Sequence, residues 1–509
     1  MAGVTDTSKR ISLRNQSFMD TGPNTTTKSN KFAVQLRKDK RMSLLTKKRQ
    51  KFLSPKDNSN GHFPNELFDI FPILSSSPNI TSTFITLFDF IIIPQDNNIL
   101  LLILKGINAL LISENRDSIH FSLTQEHINA LITLMDNTDE NFIEISIDIG
   151  TNLIWLSNSY AEIFVRMGCW QCIYRNTIAK AEKVRLSSLW LLANLSGSSQ
   201  DLRKRLINYG SFDFLIEFLN LQNPSQKIVD AALWAMSNLS KNINTLDEDK
   251  FEALITLLKK YHRTQKKFTI KSSLLIIYNL IYKNDIFIKA FLKSGIIPEI
   301  LPHTKSNDSK TIYYCLKIFN IIISSNDNNN TQVLMNLNII EILRELIDHH
   351  NDYIREEVYF CFSNIVAGTE TQRQVFIQDF SLTKSLKGFI DCKVEVQNET
   401  SHLFLNLSKL CTSDDVEMFY HMGILTRMSE EIKNEHCDAF FNTILEAIYN
   451  FLMKISERLM EKIYEENFFG PIEEMMINNR TADKALRILQ KFLPDKFISI
   501  DQPEYFEFS

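Results

Sequence analysis

Residues 184–222 read VRLSSLWLLANLSGSSQDLRKRLINYGSFDFLIEFLNLQ, and residues 227–242 continue KIVDAALWAMSNLSKN. The first run is an apolar helical stretch carrying Asn194, a polar turn, a second helix, Gly210, and a third apolar helix ending near Leu221. The glycine fits a helix end that needs a left-handed residue. The second run opens the same sequence of elements again, with Asn238 in the place of Asn194 and Trp234 in the place of Trp190.

Outward from this pair the asparagine recurs at Asn152, Asn194, Asn238, Asn279, Asn320, Asn364, Asn406 and Asn450, at intervals of 42, 44, 41, 41, 44, 42 and 44 residues. Gly168, Gly295 and Gly423 repeat the place of Gly210. That interval is the length of one armadillo or HEAT unit, in which each unit buries its apolar face only against its neighbours. The expected fold class is therefore all-α, an armadillo-type solenoid spanning 80–509 with about ten units. Less regular segments before Asp136 and after Glu465 are expected as caps. Only 13 Gly and 12 Pro punctuate 509 residues, which suits helices joined by short turns better than strands.

Charge divides the chain more sharply than the total of −4 indicates. Residues 1–56 hold 14 Lys and Arg against 3 Asp and Glu, a net +11, so residues 57–509 carry −15. A basic head on an acidic body favours protein contacts over direct nucleic-acid binding, because the body would repel a polyanion. Residues 1–30 are polar and are expected to be disordered alone. Phe32 to Phe52 reads as a basic helix that forms against a partner. Residues 57–79 serve as a linker. Seven scattered cysteines and no leading apolar stretch suggest a reducing compartment. The most apolar stretch, Leu87 to Ile112, is broken by Asp89, Pro94, Asp96 and Lys105, so no membrane insertion is expected.

Residues four apart share a helix face, which pairs Asp148 with Asn152, Trp190 with Asn194, Trp234 with Asn238, and Phe360 with Asn364. A row of amides can bond the main chain of an extended peptide, and indoles between them can hold the stems of Lys or Arg. The competing reading has the asparagines bridging adjacent helices, and it stands level with the first for Asn279 and Asn320. For the two Trp/Asn pairs the groove reading is preferred, because fully burying two equivalent tryptophans is uncommon. Cys169 and Cys172 have a redox-like spacing but no second pair for zinc, and core filling is the better reading. His349 and His350 read as a solvated turn. With no phosphate loop, nucleophile elbow or HExxH motif, neither catalysis nor a cofactor or metal is expected.

The units VRLSSLWLLANLSGSS, DAALWAMSNLSKN and REEVYFCFSNIVAGTETQRQVFI resemble armadillo repeats of the importin alpha family of nuclear import adaptors. Phe32 to Phe52 is similar to that family's importin-beta-binding segment at Leu36, Arg37 and Lys38 and at the closing cluster Lys47, Lys48 and Arg49. The resemblance implies a right-handed superhelix with a flexible basic N-terminal segment. It implies cargo proteins with basic localisation signals, importin beta and an export receptor as partners, and shuttling between cytoplasm and nucleus. It further implies a major cargo site at Asp148, Asn152, Trp190, Asn194, Trp234 and Asn238. A minor site would comprise Asn320, Glu357, Phe360, Asn364, Glu399 and Asn406, with Glu357 and Glu399 pairing with basic cargo side chains. Three departures from the family pattern weaken lysine selectivity: Asp148 replaces a Trp, Leu156 replaces a Gly, and Ser198 stands where the lysine-reading acid is expected. Phe360 and His402 replace tryptophans in the minor site, which is therefore expected to be weakened. An armadillo scaffold for cytoskeletal, adhesion or degradation complexes is the alternative.

Overall fold

A computed structural model describes residues 80–494, apart from 95, 113–122, 222–223, 242–245, 264–265, 283, 435 and 478–481. The basic segment with Leu36, Arg37, Lys38, Lys47, Lys48 and Arg49, and the linker before Ile80, lie outside the described residues. Among those described, every regular element is helical. They form two compact units, one ending at Leu280 and one beginning at Ile281.

The asparagine-bearing helices are the longest in most repeats. In the first unit they are α1 (Asn97–Ile112), α2 (Glu140–Leu156), α3 (Glu182–Ser198), α4 (Gln226–Leu239) and α5 (Lys267–Ile281). In the second they are α6 (Ser309–Ile323), α7 (Asp352–Val366), α8 (Val394–Leu410) and α9 (Asp438–Leu452), followed by a last described helix without asparagine, α10 (Ala482–Phe492). Successive members pack side by side, α2 on α3 and α3 on α4 in the first unit, α6 on α7, α7 on α8 and α8 on α9 in the second. Their starts are set by short acceptor side chains that satisfy otherwise orphaned helix N–H groups. Asp139 accepts from the Asn141 N–H, Asp308 from Thr311, and Asn351 from Tyr353.

Between these helices, shorter ones complete each repeat, such as Gln200–Asn208 and Ser211–Leu221 after α3. Gly168, Gly210, Gly295 and Gly423 all take the left-handed φ their position demands, from +67° to +83°. In two other repeats Asn338 and Asn467 occupy the same turn at φ +59° and +53°. Asparagine tolerates this region because its short side chain bonds locally. The turn is therefore more regular than the glycines alone reveal.

Apolar faces of the helices close a continuous core in each unit, with Leu191, Leu192, Leu195, Leu233 and Met236 fully buried in the first and Phe319, Phe362, Phe376, Phe389 and Phe404 in the second. Each such side chain contributes about 1.5–3 kcal/mol relative to exposure. The segment before Asp136 is helical where it is described. It contains Ile80–Ile92, α1 and Gln125–Met135, and α1 carries the ladder one step further with Asn108, 44 residues before Asn152. Its neighbours Leu104, Ile107 and Leu111 blend with a generally apolar stretch, so no contrast marked the asparagine in the sequence.

Candidate peptide-binding surface

The ladder asparagines bond in three ways: five reach the preceding ladder helix, two their own helix, and Asn320 the following one. Asn152 Nδ2 donates to Asn108 Oδ1 at 2.9 Å. Asn238 Nδ2 donates to the Ala193 carbonyl at 2.8 Å, Asn279 to that of Ser237 at 3.1 Å, and Asn406 to that of Ser363 at 3.1 Å. Each of these three acceptors directly precedes the asparagine of the previous inner helix, so the amides staple one helix to the next. Asn450 reaches Ser408 Oγ at 3.3 Å in the same sense. Only Asn194 and Asn364 turn their amides onto their own helix, at the carbonyls of Trp190 (2.8 Å) and Phe360 (2.9 Å).

Burial cuts across that division. Asn238, Asn320, Asn364 and Asn406 are at most 5% exposed, whereas Asn152, Asn194, Asn279 and Asn450 are half-buried. The expectation of an open row of amides is corrected here for the four buried ones. A helix in contact with its neighbour needs its polar side chains satisfied, and the nearest carbonyl lies across that seam. Asn364 Oδ1 meets no partner among the described residues.

Trp190 and Trp234 are both half-buried on the adjoining helices α3 and α4. Their ring centroids lie 4.4 Å apart with planes inclined at 59°. A side chain held between two rings needs about 7–8 Å, twice a van der Waals contact. The slot expected between them is closed in this structure, and a ligand must part the rings or lie across their outer faces. Nearby, Asp148 accepts from the Ser187 hydroxyl of α3 at 3.0 Å, which fixes its carboxylate across the α2–α3 seam. Ser198 donates to the Asn194 carbonyl at 2.9 Å and supplies no charge. Glu144 is engaged by Lys183 at 3.0 Å.

The residues of the expected second site are differently placed. Phe360 is half-buried on α7, and His402 is half-buried on α8. Glu399 is 7% exposed. Glu357, expected to receive a basic side chain from outside, is 5% exposed and lies 2.7 Å from Lys317 of this same chain. Asn320 Nδ2 donates to the same carboxylate at 2.5 Å, and Cys361 donates to Asn320 Oδ1 at 2.7 Å. Lys317 was not singled out in the sequence. The signal was there: it is three residues before Asn320, where α2 to α5 carry Ile149, Leu191, Ala235 and Ile276.

Cys169 and Cys172 are buried free thiols, and burial pushes both away from the reactive thiolate. His349 and His350 stack on each other at 4.2 Å, and His349 Nδ1 accepts from the Asn351 N–H. Among the described residues no helix is long and apolar enough to cross a membrane.

The armadillo/beta-catenin-like repeat family matches residues 199–241, the unit containing Gly210 and Asn238. The fold is an all-helical armadillo-repeat stack. A solved engineered protein superposes with a TM-score of 0.62 at 13% identity, covering 84% of this chain and 99% of its own, which shows the shared fold. A designed armadillo repeat protein in complex with the peptide (KR)4 covers 47% of this chain and 98% of its own, at 16% identity and a TM-score of 0.42. Comparison with curated proteins returns no match. The helical repeats thus agree with the armadillo stack expected from the asparagine period.

Proposed function

We propose that this armadillo-repeat protein is a nuclear import adaptor whose first unit binds an extended basic segment of a cargo protein and whose residues 1–56 bind importin beta. The observation that carries the reading is the half-buried indole pair Trp190 and Trp234 on adjoining inner helices, with Asp148 two helices from Trp234. Half-buried aromatic faces attract a cation when it is desolvated, and a carboxylate at the edge of the same surface adds charge selectivity. Asn152 and Asn194, half-buried beside them, have amide groups suited to a peptide main chain. The strongly basic head, set against a body of −15, supports an attachment that is separate from the cargo surface.

In the absence of importin beta, Lys47, Lys48 and Arg49 would compete for the cargo surface, since a tethered segment acts at an effective concentration in the millimolar range. An export receptor would return the protein to the cytoplasm. Two measurements test the reading. Residues 1–56 should capture importin beta in a pull-down, and replacing Lys47, Lys48 and Arg49 with Ala in the full chain should tighten binding of a labelled lysine-rich peptide. Absence of importin beta capture, together with no peptide binding, would move the assignment to an armadillo scaffold. That second reading draws support from the ladder amides, which are largely committed to neighbouring helices.

A further inference from the structure

On the inner helices of the second unit, a cation already sits where a ligand's cation would be read. Lys317 Nζ of α6 lies 2.7 Å from the Glu357 carboxylate of α7 and 5.6 Å from the centre of the Tyr313 ring, one turn back on its own helix. Asn320 fixes the carboxylate from the side, and Cys361 in turn fixes the Asn320 amide. Side-chain exposure is 12% for Lys317 and 7% for Glu357. A held carboxylate, an aromatic face and a positioned amide are the groups a site needs to recognise the ammonium of a peptide lysine.

Packing alone does not call for a lysine here. At the same offset from their asparagines, α3, α4 and α8 place Leu191, Ala235 and Leu403, all fully buried. Taking an ammonium and a carboxylate out of water costs several kcal/mol per ion, and an apolar pair of similar volume often serves stability equally well. The ion pair therefore has a consequence beyond cohesion: it consumes the charge that would attract a second basic segment.

We infer that Lys317 is a resident substitute for a ligand's cationic side chain, closing the second unit to basic peptides and confining them to the Trp190–Trp234 surface. This rests on the reading of the first unit as the basic-peptide surface. Truncating Lys317 to Ala leaves a buried carboxylate facing an aromatic ring, with a void the size of a propylammonium group. An outside lysine can then enter, its charge neutralised by Glu357 and its stem taking the space of the Lys317 methylenes.

The test is calorimetric titration of the full chain with a lysine-rich peptide, comparing wild type, Lys317→Ala, and Lys317→Ala combined with Glu357→Gln. The single variant should gain one peptide site over wild type, and the added carboxamide should weaken that site about 10-fold or abolish it. Propylammonium chloride should restore the melting temperature of Lys317→Ala in a saturable manner, whereas sodium chloride and propanol at equal concentration should not. Lys317→Val, which keeps the base of the side chain but leaves the ammonium end of the void open, replaces the alanine variant if the latter does not fold, with the same expected gain of weaker magnitude. An unchanged number of sites in the variant overturns the inference, whether or not the amine restores stability. A failed functional reading is distinguishable, because it appears in the wild-type titration as the absence of a site sensitive to Trp190→Ala and Trp234→Ala.

Discussion

Replacing Trp190 and Trp234 should weaken basic-peptide binding non-additively, and the geometry sets the size of the effect. Their rings touch at 4.4 Å in the unliganded protein, so a cationic side chain entering between them first breaks an aromatic contact worth about 1 kcal/mol. It then gains a cation–aromatic contact with each indole, about 2 kcal/mol apiece once desolvated. The pair therefore contributes about 3 kcal/mol net, or roughly 150-fold in affinity. Trp190→Ala loses one contact but also removes the cost of parting the rings, so it should weaken binding by only about 1 kcal/mol, near 5-fold. Trp234→Ala should behave alike. The double variant should lose about 3 kcal/mol, more than the two singles together by about 1 kcal/mol. Fluorescence polarisation of a labelled lysine-rich peptide at low salt measures all four proteins directly. Single effects that sum to the double would refute the closed pair as the state from which binding starts. A double variant with wild-type affinity would refute the indoles as the contact surface.

Four perturbations test the rest of the structure. Gly388→Ala should lower the melting temperature, because its Cβ would collide with Thr400 Oγ1 and lie 2.6 Å from Tyr359 Cζ, an overpacking that costs about 1–3 kcal/mol. Gly106→Ala in α1 is its control: the nearest side chain is Leu87 at 3.9 Å, and helix propensity should make this change neutral or stabilising by up to about 1 kcal/mol in calorimetry. Asn406→Ala, which removes the bonds to the Ser363 carbonyl and hydroxyl across the α7–α8 seam, should cost about 0.5–1.5 kcal/mol in urea unfolding; a change within error would show that the staple is dispensable. Acid should weaken the second unit first. Burial acts to raise the Asp391 and Asp379 carboxyls, but Arg355 with the Lys393 N–H, and Ser381 with Arg344, outweigh it and hold both below the usual range. Lys387 and Lys384 lower Asp348 against its partial burial, and Lys409 and Lys484 outweigh burial at Glu446. A carboxyl depressed by folding stabilises the fold above its unfolded value, about 3.9 for Asp and 4.3 for Glu, and that stability is lost as pH falls through the lower folded value. All four groups lie in the second unit, while Trp155, Trp170, Trp190 and Trp234 all lie in the first. Far-UV circular dichroism should therefore fall at higher pH than tryptophan emission shifts, and coincident transitions would contradict this distribution of charge.

The asparagine period made the architecture legible, and the reason it did so also limited the reading of the site. A ladder residue is conspicuous because a polar side chain inside an apolar helical run must be satisfied somewhere, yet the sequence does not say on which side. At Asn238, Asn279 and Asn406 the donor bonds the preceding helix, so the signal marks a seam between repeats. At Asn194 the amide folds back onto Trp190, and the signal marks a surface. The same ambiguity explains Glu357. The family resemblance offers it as an acid open to a ligand's cation, but only the neighbouring helix reveals that Lys317, 40 residues earlier, already holds its charge. Asn108 was missed for the opposite reason: α1 is apolar over most of its length, and a period is hard to extend where the contrast that defines it fades. A repeat protein thus announces its fold through what every unit shares. The peptide surface proposed above lies where one unit departs from the others, at the two tryptophans, and Lys317 of α6 is the departure proposed to close its counterpart in the second unit.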